Sequence, residues 1–156
     1  MDAASTIPQL ELYSQVESDE AQLEWLLQHL TKSLPLVLEN PGTGEPVLPV
    51  LETVEITLIS DETIAEVHEE FLDDPTPTDV ITFHHGEILV SRETAEREAT
   101  EYGKTADEET LLYGIHGLLH LNGHTDLEEP ERGSMHRIQE DILSRILSEG
   151  ARDRFT

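Results

Sequence analysis

The stretch from Leu111 to Asp126, LLYGIHGLLHLNGHTD, constrains the fold more than any other part of the chain. Its apolar residues Leu111, Leu112, Ile115, Leu118 and Leu119 cover most of a helix's circumference, so this helix is expected to be largely buried. His116 and His120 are four residues apart, which places both imidazoles one turn apart on the same face and lets them reach one point. That is how two side chains meet one metal ion. Gly123 then allows the chain to leave the helix through a left-handed position that residues with a Cβ adopt only at a cost. The turn swings His124, Thr125 and Asp126 back toward the two histidines. Two imidazoles with one further N or O ligand leave a fourth tetrahedral position for water, the arrangement of catalytic rather than structural zinc. The chain has no cysteine, so a closed thiolate site is excluded. Gly114 and Gly117 each cost about 1 kcal/mol against Ala inside a helix, so something is expected to pack close to the backbone there. The competing reading, two satisfied core histidines among the eight in the chain, leaves those glycines without a purpose.

Charge narrows the setting. There are 34 Asp and Glu against 9 Lys and Arg, a formal charge of -25 in 156 residues. Repulsion on that scale costs stability at low salt and is tolerable where salt screens it, so a salt-rich environment is expected. The same charge works against nucleic-acid binding by a basic face; a metal ion and local arginines would have to compensate. Absent cysteines fit a reducing cytosol or an avoidance of thiols, and rule out a disulfide scaffold. No apolar run approaches the roughly 18 residues of a membrane span, and the N-terminus lacks the basic and apolar regions of a signal peptide. A cytoplasmic protein is expected, with no membrane partner and no DNA.

One domain covering residues 1–156 is the simplest organisation. In chain order, Ile7 to Tyr13 alternates as a first strand. Ser18 is the expected N-cap of a helix whose stripe is Leu23, Leu26, Leu27 and Leu30, with Trp25 flanking it. Leu34 to Pro49 holds four prolines and two glycines, and so predicts a loop, or an insertion, near residues 34–50. Thr53 to Ile59 alternates as a half-buried strand with Val54, Ile56 and Leu58 on one face. Ser60 or Asp61 caps the next helix, which is expected to carry Ile64, Val67 and Phe71 inward and His68 at its surface edge. Leu72 to Thr78 is a loop broken by Pro75 and Pro77. Asp79 to Phe83 and Glu87 to Ser91 form a hairpin through His84, His85 and Gly86. Ser91 begins a charged, exposed helix ending near Gly103. Thr105 and Glu108 match a capping box for the histidine helix. Glu131 to Leu147 is a last amphipathic helix with Met135, Ile138, Ile142 and Ile146 toward the core.

HGLLHLNGHTD resembles the motif of the YbeY endoribonuclease family, zinc-dependent proteins of bacterial ribosomal RNA maturation, written roughly H-G-x-L-H-L-x-G-[YH]-x-[HD]. PTDVITF from Pro77 to Phe83 is similar to the family's P-T-[DN]-V-[LI]-[ST]-F, GEILVS from Gly86 to Ser91 to its G-D-I-x-I-S, and Met135 with Glu140 to its M-x4-E. The resemblance implies an α+β fold, a small mixed β-sheet with surrounding helices and a buried metal-binding helix presenting His116 and His120. The family's commonest third ligand is a histidine at the position held here by Asp126; a carboxylate serves zinc there too, so Asp126 is the first choice and His124 the reserve. A second departure is Leu72, aligned with an arginine that many members carry near the metal. A guanidinium would hold a phosphate and stabilise charge developing on it. Leucine can do neither.

The reading that the resemblance implies is a zinc-dependent, single-strand-specific endoribonuclease with one Zn2+ per chain on His116, His120 and Asp126, acting on rRNA and ribosomal particles in maturation and quality control. The catalytic group would be water bound to that metal, its pKa lowered. Asp79 and His84 are candidates for the remaining acid and base, each with an ordinary structural role in competition. Tyr113 reads as core. Two other functions compete. A non-catalytic ribosome-associated factor would fit Leu72 and the acidic charge. A metalloprotease would share the H-x-x-x-H-x-x-G-x-x-D spacing, but the glutamate that follows the first histidine in metzincins is here Gly117.

Overall fold

The computed structural model describes residues 7–155, with side chains described through residue 148. Alternation of apolar and polar residues builds four strands, β1 (Gln9–Ser14), β2 (Thr53–Ile59), β3 (Val80–Phe83) and β4 (Glu87–Ser91). They form one sheet in the order β1-β2-β4-β3, parallel from β1 through β4, with β3 antiparallel on the far edge. Five helices accompany it among the described residues: α1 (Glu20–Leu38), α2 (Asp61–Leu72), α3 (Arg92–Tyr102), α4 (Ala106–Leu121) and α5 (Glu131–Phe155). The fold is thus α+β with a small mixed sheet.

Because successive side chains of a strand point to opposite faces, β4 feeds two cores. Ile88 and Val90 join Val54, Ile56 and Leu58 of β2 against α1, α4 and α5. Leu89 points the other way, to Ile59, Ile81 and Ile64 under α2. α4 lies in the larger core, where Leu111, Ile115, Leu118 and Leu119 are fully buried. Its two inner glycines set the packing distance. A Cβ on Gly114 would sit 2.6 Å from Leu30 of α1, and one on Gly117 would sit 2.8 Å from Ile88 of β4. α4 is therefore clamped between α1 and the sheet, which fixes where its histidines emerge.

Four expectations are corrected. α1 does not stop before Leu34; it runs through Pro35 to Leu38. Proline inside a helix costs about 3 kcal/mol, yet Leu34 and Val37 continue the stripe of Leu26 and Leu30 and are buried to 2% and 0% exposure. Burying two such side chains contributes about 1.5–3 kcal/mol each and outweighs the proline. The N-cap is Asp19 rather than Ser18, with Gln22 completing a capping box; Ser18 instead bonds Ser14 and the Val16 carbonyl. Phe71 is not inward: it is 60% exposed on the last turn of α2, where its ring meets Phe83 of the edge strand β3. His68 is half-buried, its Nδ1 2.8 Å from the Thr76 carbonyl under the connection to β3.

The segment after α1 is docked, not free. Gly42 N donates to Asn122 O, Gly44 N to Gly123 O and Val47 N to Leu121 O, all within 3.0 Å. A Cβ on Gly42 would lie 2.3 Å from Gly123 O. Gly123 has a φ of 93°, the left-handed backbone expected from its position. Two side chains add to the lock: Asn122 Nδ2 donates to Val37 O, and the His124 ring bonds Asn40 O.

Candidate metal centre

α4 begins at Thr105, whose side chain caps Glu108 N while Glu108 reaches back to Thr105 N. It ends in the glycine turn just described, and that turn aims Asp126 at the last two turns of the helix. His116, His120 and Asp126 each offer one donor atom, and the three atoms lie within 4.8 Å of one another. The Nε2 atoms of His116 and His120 are 3.0 Å apart. Asp126 Oδ2 is 3.4 Å from His116 Nε2 and 3.7 Å from His120 Nε2. Zinc bonds of about 2.0–2.1 Å in tetrahedral geometry separate neighbouring ligand atoms by roughly 3.4 Å. The three distances bracket that spacing.

The other ring nitrogens decide what these atoms can do. His116 Nδ1 lies 2.7 Å from Gln139 Oε1 of α5, and His120 Nδ1 lies 3.0 Å from the His124 carbonyl. The His124 carbonyl only accepts, so His120 Nδ1 carries its hydrogen and its Nε2 the lone pair; where Gln139 Oε1 accepts from His116 Nδ1, a neutral His116 likewise turns its Nε2 lone pair inward. With both rings neutral, two lone pairs and a carboxylate oxygen converge without a donor between them, a group that could hold a cation. A proton can substitute for the cation. Burial opposes charge on His116, but hydrogen bonding to Asp126 and Gln139 outweighs it and raises its pKa above the usual range. Burial and the neighbouring His116 lower that of His120. The bond with His116 holds the Asp126 carboxyl at about 2.

His124, the reserve ligand, is buried with its ring on Asn40 O; what it offers His120 is its backbone carbonyl. Asp79 is exposed and caps Val80 N at 2.8 Å. A cleft of about 750 Å³ reaches His116 and is lined by Asp79, Glu109, Tyr113, Gln139 and Glu140. On the other side a pocket of about 240 Å³ reaches His120, lined by His68, Leu72, Thr82 and His84. The site is thus reached by two openings, the cleft at His116 and the pocket at His120.

Sequence reasoning missed Gln139 and Glu109. Gln139 breaks the apolar stripe of Met135, Ile142 and Ile146 on α5, and a polar residue in such a stripe is a signal for a buried partner. Glu109 is 5% exposed, with burial raising its pKa; its Oε1 has no hydrogen-bond partner among the described residues and faces Lys104 Nζ at 3.9 Å. Tyr113 is buried and core-like as expected, with its phenol pushed well up by that burial.

A profile described as Endoribonuclease YbeY matches residues 13–147. The chain is 31% identical over 144 residues to the Endoribonuclease YbeY of Carboxydothermus hydrogenoformans, covering 86% of this chain and 93% of that one. It is 30% identical over 131 residues to that of Thermus thermophilus, covering 76% and 90%. The solution structure of TM1509 from Thermotoga maritima superposes with a TM-score of 0.61 at 25% identity over 93% of each chain. With its fold and most of its length so matched, the chain belongs to the YbeY endoribonuclease family.

Proposed function

We propose that this protein is a metal-dependent, single-strand-specific endoribonuclease of rRNA maturation and ribosome quality control, working in the cytoplasm with ribosomal particles as its setting. One Zn2+ per chain would be held by His116, His120 and Asp126. The observation that carries the reading is the convergence of two Nε2 lone pairs and a carboxylate oxygen, with both Nδ1 hydrogens committed elsewhere. Zinc suits two imidazoles and one carboxylate with a fourth position open. When bound there it supplies Lewis acidity, polarising a phosphoryl oxygen and making water a nucleophile near neutral pH.

The chain's own residues do the rest. Gln139 and the His124 carbonyl hold the two rings in one tautomer and orientation, which raises their basicity toward a cation. Asp126 adds the negative charge that favours a divalent ion over a proton. The cleft beside His116 and the pocket beside His120 leave room for a strand to pass on either side of the site. The test is cleavage of a structured ribosomal RNA by zinc-loaded protein beside His116→Ala purified identically. Cleavage by the wild type alone, with about one zinc per chain as in catalytic zinc sites, supports the nuclease. Equal cleavage by both exposes a contaminant and removes the support.

A second reading, a non-catalytic ribosome-associated factor, is favoured by one observation. Leu72 lines the pocket that reaches His120, where the family resemblance places an arginine. That reading expects cosedimentation with ribosomal particles and no chelator-sensitive cleavage.

A further inference from the structure

Phe71 is 60% exposed, and it is not isolated. Its ring meets Phe83 edge-on, with centroids 5.2 Å apart at 73°. His85 in turn lies nearly parallel to Phe83, with centroids 5.6 Å apart at 17°, and its side chain is 70% exposed. Phe83 is half-buried and anchors the group to the core under α2. The outer rings are left to solvent. Their chain neighbours, Leu72 and His84, line the pocket that reaches His120, so the aromatic group borders the rim of that pocket.

We propose that Phe71, Phe83 and His85 form a stacking platform for an unpaired base of single-stranded RNA whose backbone passes the His120 pocket. This rests on the nuclease reading and adds how the substrate is held. The occupant follows from the nuclease reading, and the charge of the chain constrains how a strand could be held. With 34 acidic against 9 basic residues, binding through phosphates and released counterions is opposed. Among the described residues, none that lines the pocket beside the platform is Lys or Arg. In the adjoining cleft, Arg97 faces Asp61 and Lys104 faces Glu140. Stacking needs no net charge and tolerates any base. It also requires a base face that a duplex hides, which makes the platform selective for unpaired strands.

The experiment uses a short single-stranded RNA carrying one 2-aminopurine, whose fluorescence falls when the base stacks. It is titrated into zinc-loaded wild type, Phe71→Ala, Phe71→Trp and His85→Ala at low and molar salt, and again after annealing to its complement. Cleavage of the same RNA is followed in parallel. The expected result is quenching by wild type that survives molar salt and vanishes for the duplex. Phe71→Ala weakens binding by about tenfold, Phe71→Trp restores it, and KM rises while kcat holds. Binding and quenching by Phe71→Ala and His85→Ala equal to wild type overturn the platform. Cleavage by wild type without quenching overturns the platform and leaves the nuclease standing. Quenching lost in Phe71→Ala with no cleavage by any preparation keeps the platform and removes the nuclease. Neither binding nor cleavage removes both.

Discussion

The two flanks of the His116–His120 pair are built differently. On the side of Gly123, backbone bonds to backbone: the 42–47 segment is docked on Leu121, Asn122 and Gly123, and a single methyl on Gly42 would collide with a peptide oxygen. On the side of β3, the rim consists of exposed side chains, Phe71, Leu72, His84 and His85, on the last turn of α2 and the hairpin. The difference teaches where precision is needed. Ligand atoms must be placed to within a fraction of an ångström, which close-packed backbone supplies. A surface that meets a flexible strand has no such demand, and side chains there can differ without disturbing the core.

That contrast can be broken at its strongest point first. His116→Ala removes one of three converging donors and is expected to abolish stoichiometric zinc retention, read by metal analysis after dialysis, and with it chelator-sensitive RNA cleavage. Gln139→Leu keeps the ligand but frees its ring. Zinc affinity should fall by about 10–100-fold, measured by chelator competition; an unchanged affinity would show that α5 does not orient His116. Gly42→Ala strikes the docked flank. It should cost about 2 kcal/mol of stability in denaturant titration and weaken zinc binding with it, whereas a silent substitution would mean that the segment shifts without consequence.

Proton competition gives a finer contrast. In metal-free protein, His116 has a pKa raised above its ordinary 6.5, so its stabilising contribution is fully present below 6.5 and fades as pH rises through the raised value. Asp126, lowered from 3.8 to about 2, contributes above 3.8 and loses that contribution as pH falls toward 2. Zinc held there would displace the His116 proton, so its affinity is expected to increase with pH across the neutral range. Calorimetry of apo and loaded protein at pH 6 and 8 checks the His116 and zinc signs, and of apo protein at pH 2 and 4 the Asp126 sign. The smallest effect belongs to the open flank: Phe71→Ala should change stability by no more than about 0.5 kcal/mol, while Ile64→Ala, buried on the same helix, should cost about 2–5 kcal/mol.

What was legible in sequence had short range. The four-residue spacing of His116 and His120, the capping box at Thr105, the alternation of β2 and the left-handed Gly123 all depend on residues within one turn or one strand. Each was readable because the signal lies inside the element it specifies. Even the length of α1 was present in the spacing of Leu30, Leu34 and Val37; Pro35 masked it, since a local propensity was given more weight than the burial that overrides it.

The tertiary structure decided what joins elements far apart in the chain. Gln139 reaches His116 across 23 positions, and His124 reaches Asn40 across 84. No local pattern encodes such pairs, because they exist only once α5 and the 42–47 segment have packed on α4. Phe71 follows the same rule in reverse. Its spacing from Ile64 and Val67 gives it an inward phase on α2, but its partner there is the half-buried Phe83 of the edge strand, which leaves the ring 60% exposed. The sequence by itself determined a buried helix carrying two histidines on one face; packing decided which atoms those histidines lean on and which aromatic rings remain in water.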